Sequence, residues 1–124
     1  MGLLLSAPLG GCVGSVTLAD GRRIPLNSNE FEDYVERVFK TQNRVADELA
    51  FALVDFPAED SQSQLRLLEA AEATLLTACA GLNELATARR DGLSLSLRRK
   101  LEFARQVPAC EQAAAAASRV IEAH

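Results

Sequence analysis

Eight positions between residues 31 and 56 recur at alternating spacings of four and three: Phe31, Val35, Val38, Gln42, Val45, Leu49, Ala52 and Phe56. That spacing returns to one face of an α-helix and matches no strand, whose period is two. The C-terminal third repeats it at Phe103, Val107, Cys110, Ala114, Ala117 and Ile121. Between the two lie Leu68, Leu75, Cys79, Leu82 and Leu85 or Ala86, with Glu72 as the polar exception. Three such stripes must bury one another. The pattern predicts an all-α fold, an antiparallel three-helix bundle with a short N-terminal extended or hairpin segment.

Boundary residues place the helices at about 28–56, 61–90 and 96–122. Asn27 or Ser28 caps the first, with Glu30 three residues after Asn27 as in a capping box, and Phe56-Pro57 ends it. Ser61 and Gln64 open the second in the same way. Arg89 and Arg90 complement the dipole of its last turn, and Gly92 is placed for a C-terminal cap. The third begins after Ser94 or Ser96. Pro108 interrupts its stripe and predicts a kink or a restart near Val107. Gln42 and Glu72 read either as polar positions that set register or as edges of their stripes.

The segment before the helices divides in two. Residues 1–11 are apolar, rich in small residues and uncharged; residues 12–27 change to an alternating pattern. In the latter, a three-residue loop at Asp20–Arg22 would pair Leu18 with Ile24 and Val16 with Leu26. The alternative for this segment is extended coil, because a lone hairpin is marginal in water and Pro25 fits only an edge.

The 124 residues are one domain by length, and 48% of them are hydrophobic, enough for a real core. With no Trp, one Tyr and five Phe, that core must come from Leu, Val and Ala. The net charge of −4 excludes a general nucleic-acid binder, which needs a basic footprint. No apolar run approaches the ~20 residues that span a bilayer.

Cys79 and Cys110 both fall on the stripes. If the second and third helices fold back around 91–96, facing positions have a constant sum of residue numbers. Cys79 then opposes Cys110, Leu82 opposes Val107, Leu75 opposes Ala114 and Leu68 opposes Ile121, each pair adding to 189. A disulfide needs Cα atoms about 5.5 Å apart, and the flanking Ala78, Ala80, Ala109, Ala113 and Ala114 are small enough to permit it. A bridge implies an oxidising compartment. The other reading is two buried thiols acting as small hydrophobes.

Leu9-Gly10-Gly11-Cys12 resembles the lipobox of bacterial lipoproteins. The resemblance covers those four residues and the apolar Leu3–Leu5 before them, and no specific family is identified. It implies that residues 1–11 are the end of a truncated signal segment and that Cys12 is lipidated, tethering the bundle to the periplasmic or outer-membrane surface. The stretch lacks a basic start and is shorter than a signal, so it also implies a basic, apolar extension upstream of Met1. The competing reading is a cytoplasmic N-terminal coil with an incidental cysteine. A lipidated Cys12 leaves Cys79 and Cys110 as an even pair.

Catalytic patterns are not found in the sequence. The single histidine is His124, the last residue, where general-base work is disfavoured. No Cys-x-x-Cys, Cys/His metal spacing or phosphate-binding glycine loop occurs, so no cofactor is expected. The carboxylates Glu32, Asp33, Glu36, Asp47, Glu48, Glu69 and Glu72 read as solvated helix faces.

Arg89, Arg90, Arg98, Arg99 and Lys100 gather at the tip between the second and third helices. Three of them fall in an early helical turn, where the dipole disfavours cations. The tip therefore reads as a surface for a protein partner or an anionic envelope surface, against the plainer reading of a solubilising loop. A homo-oligomer stays open, because three long stripes leave room for an exchanged helix to complete a four-helix core.

Overall fold

The computed structural model describes residues 14–54 and 62–123. Among these residues, two short strands, β1 (Ser15–Thr17) and β2 (Arg23–Pro25), precede five helices: α1 (Asn29–Val54), α2 (Gln62–Ala78), α3 (Ala80–Arg90), α4 (Leu97–Ala104) and α5 (Val107–Glu122). The fold is an all-α bundle with a short antiparallel hairpin at its N-terminal side. The main packing is between α1, α2 and α5, while α3 pairs chiefly with α4 beyond them.

The hairpin loop sits one residue earlier than the spacing of turn residues predicts. Gly21 N–H donates to Leu18 C=O at 2.9 Å and Leu18 N–H to Arg22 C=O at 2.7 Å. The loop is thus Ala19-Asp20-Gly21, with Gly21 at φ +92°, the backbone region where glycine alone carries no steric cost. Val16 therefore pairs with Ile24 rather than Leu26. A register shift of two keeps every side chain on its face. Val16, Leu18, Ile24 and Leu26 are all buried as the alternation requires. The hairpin survives because it is not alone: β2 lies on α1 and β1 on α4. A Cβ on Gly14 would stand 3.1 Å from Leu101 Cδ1.

Ser28 is the cap of α1, its Oγ accepting from Phe31 N–H at 3.1 Å. Glu30 does not close a capping box; it accepts from Arg22 Nη1 at 2.7 Å and ties the helix start to the hairpin loop. The stripe of α1 buries Phe31, Val38, Gln42, Val45 and Leu49. Tyr34, outside the expected stripe, is buried as well: it lies three residues after Phe31 and four before Val38, and its phenol donates to Glu111 on α5 at 2.8 Å. Glu72 is exposed and so marks an edge of its stripe. Ser61 and Phe56 lie outside the described residues.

The helix expected over 61–90 is two helices, separated at Cys79. Hydrogen bonds still cross the junction, from Cys79 N–H to Leu75 C=O and from Asn83 N–H to Cys79 C=O, both 3.0 Å. The bend therefore lies in an otherwise continuous path. The helix expected over 96–122 is also two. Ser96 caps α4 through Arg99 N–H at 3.2 Å, and α5 restarts at Val107 with Pro108 in its first turn, where a missing N–H costs nothing. α3 closes in a Schellman arrangement: Leu93 N–H to Ala88 C=O at 2.8 Å and Gly92 N–H to Arg89 C=O at 3.3 Å, with Gly92 at φ +68°.

Candidate functional site

Two features stand out: the bridge at the bends, and a groove at the tip. The two helix breaks lie against each other, with Gly81 just past one and Gln106 at the other. Cys79 and Cys110 are joined in a disulfide with Cα atoms 4.5 Å apart, both fully buried. Helix axes ordinarily pack roughly 8–10 Å apart, so such an approach needs small side chains around it. Gly81 supplies what the alanines alone do not: a Cβ there would fall 2.5 Å from Gln106 Oε1 and 3.0 Å from Gln106 Cβ. Leu82, Val107, Leu75, Ala114 and Leu68 are buried in the same core, with Ile121 packed against it.

Beside the bridge, Gln42 and Asn83 form a reciprocal amide pair. Gln42 Nε2 donates to Asn83 Oδ1 at 3.0 Å, and Asn83 Nδ2 donates to Gln42 Oε1 at 3.1 Å. Gln42 is 6% exposed, so this pairing is what makes a polar residue tolerable there. It ties α1 to α3 just past the bend.

At the other end of α3, a groove of about 700 Å³ opens between α1, α3 and the 91–96 turn. Phe31, Val35 and Phe39 form its α1 wall, four residues apart on a row that starts on the buried stripe at Phe31 and diverges from it. Leu85, Ala86 and Ala88 form the α3 wall, with Leu93 and Leu95 from the turn. Glu32, Glu36, Arg89, Arg90 and Lys100 edge it. Arg89 reaches Glu32 at 3.8 Å, Glu36 holds Lys40 at 3.5 Å, and Arg90 Nε meets Asp91 at 3.1 Å.

The five basic residues grouped by sequence therefore divide. Arg89, Arg90 and Lys100 line the groove; Arg98 and Arg99 do not. Arg99 instead stacks over the Phe103 ring, 5.5 Å from its centroid. Cys12 and His124 lie outside the described residues. The groove's apolar walls were missed by the sequence reading. Their signal was the Phe31, Val35, Phe39 row at spacing four, which overlaps the core stripe and looks like part of it.

Tyr34 shows how its end of α1 is held. Burial first, and then the hydrogen bond to Glu111, push its phenol well above the ordinary value of 10.0. Arg37 lies over the same ring at 5.2 Å and meets Glu111 at 3.6 Å. At the hairpin loop, the Arg22 backbone N–H and guanidinium on Asp20 hold that carboxyl below its usual value. Among the described residues, no group of three or more His, Cys, Asp or Glu is placed to hold a metal ion, and no helix is long and apolar enough to cross a membrane.

Comparison with protein-family models, curated proteins and solved structures returns no match for the chain.

Proposed function

We propose that this chain is a non-catalytic helical binding or structural protein of the bacterial envelope, tethered by lipid on Cys12. The observation that carries the reading is the buried Cys79–Cys110 bridge. Disulfides form and persist in oxidising compartments, and the bacterial periplasm is one. The tip supplies the binding surface, with Arg89, Arg90 and Lys100 at the groove and Arg98 and Arg99 beside it. Its partner is a protein or an anionic envelope surface. Binding rather than chemistry is favoured because the groove's wall is largely aliphatic and aromatic.

A second reading is a cytoplasmic adaptor or secretion-type chaperone that pairs through a helix face. Leu93 and Leu97, 62% and 50% exposed at the tip, favour it.

Cell fractionation separates the two. An envelope lipoprotein is recovered with membranes, and Cys12→Ala moves it to the periplasmic fraction. Recovery in the cytoplasmic fraction, unchanged by Cys12→Ala, overturns the first reading in favour of the second.

A further inference from the structure

We propose that the tip groove binds a free single-chain amphipathic anion, its alkyl chain between α1 and α3 and its head at Arg90 and Lys100. The inference rests on reading the chain as a binding protein and names the ligand class of that same site.

The cations of the groove gather at one end. α1 runs away from the 91–96 turn and α3 runs toward it, so Phe39 and Leu85 wall the end remote from the turn. Arg90, Ser94 and Lys100 stand at the near end. Leu93 and Leu95 share that end, so apolar wall runs the length of the groove with the cations at one end, which suits a ligand with an apolar chain and one anionic head. The volume of about 700 Å³ falls in the range of small-molecule sites, roughly 300–1,000 Å³. The α1 wall from Phe31 to Phe39 extends about 12 Å at the helical rise per residue, room for a medium alkyl chain laid out straight.

Charge decides the head group. The two carboxylates on the rim are already matched, Glu32 by Arg89 and Glu36 by Lys40. Arg90 gives its Nε to Asp91 and keeps its terminal nitrogens. Lys100 has no carboxylate in salt-bridge reach among the described residues. The near end is thus left with cationic donors for an anion, beside the apolar side chains of Leu93 and Leu95.

The test is calorimetric titration of the full, oxidised chain with decanoate and with decanol. Decanoate binds saturably at one site. Arg90→Gln with Lys100→Gln weakens decanoate at least roughly tenfold and leaves decanol unchanged. Ala86→Phe fills the α3 wall outside the core and removes binding of both. Arg44→Gln with Arg119→Gln removes the same charge elsewhere and changes neither. Absence of saturable decanoate binding overturns the proposal, as does equal affinity in all variants. Cosedimentation with phosphatidylglycerol vesicles that persists in Ala86→Phe, without decanoate binding, also overturns it: the anion contact then lies on the exposed cationic surface and the chain remains a binding protein. Decanoate binding by a chain recovered in the cytoplasm leaves the groove standing and removes the envelope reading.

Discussion

Gln42 on α1 and Asn83 on α3 hold each other through two amide hydrogen bonds of 3.0 and 3.1 Å. Removing one amide leaves the other short of partners in a largely apolar setting, a loss of about 1–3 kcal/mol. Gln42→Leu should cost that much in urea unfolding. Adding Asn83→Leu should recover part of it, giving a coupling energy near 1 kcal/mol in a double-mutant cycle. Strictly additive losses would mean that the pair does not fix the contact between the helices.

Gly81 stands where α3 passes Gln106, and the side chain there leaves no room. Ala would gain up to about 1 kcal/mol of helix propensity but push Gln106 aside. Gly81→Val cannot be accommodated so easily, and should destabilise by about 1–3 kcal/mol. Gln106→Ala should restore part of the loss. Equal stability of Gly81→Val and the parent in thermal unfolding would contradict the close approach of the bends.

How much of this was legible beforehand depends on the kind of contact. The stripes of α1 and α5 were readable because burial at alternating four and three spacings leaves a periodic trace. The pairing of Cys79 with Cys110 was readable because a fold-back imposes a constant sum on facing positions. Gly92 was readable as a cap, and Ser96 as one of two candidates with Ser94, because a cap does one local job. The break at Cys79 was not. Its cause is a partner 31 residues away together with the space at Gly81, and neither alters the local pattern. Tyr34 was missed for a different reason: it lies three residues after Phe31 and four before Val38, but the stripe was drawn through Val35, which is only half-buried. The basic tip was visible as composition, but which cations share a groove depends on the turn of α4, which places Lys100 inward and Arg98 outward.

Tyr34 predicts an alkaline effect. Its folded pKa is raised above the unfolded value of 10.0, so above that pH the unfolded chain loses the phenolic proton while the folded chain keeps it. The stability contributed by the protonated phenol is present below pH 10 and declines as pH rises from there. Tyr34→Phe should cost about 1 kcal/mol near neutrality through the lost bond to Glu111. The gap to the parent should then narrow above pH 10. A gap that stays constant from pH 8 to pH 11 in urea unfolding would exclude this role.

The bridge predicts a loss on reduction. Removing it frees a loop of 31 residues, worth about 2–4 kcal/mol in the unfolded chain. Reductant, or Cys79→Ala with Cys110→Ala, should lower the denaturation midpoint accordingly. The paired substitution should make the protein insensitive to reductant. A parent whose midpoint does not move with reductant would have no stabilising bridge.

The central claim is that two bent helices are joined at Cys79 and Cys110 in the native protein. Its most direct test is the intact mass of protein acid-quenched from cells, denatured, and alkylated with and without prior reduction. The bridge predicts that Cys79 and Cys110 gain alkyl groups only after reduction. Alkylation of both in denaturant alone would contradict it, and would remove the main support for an oxidising compartment.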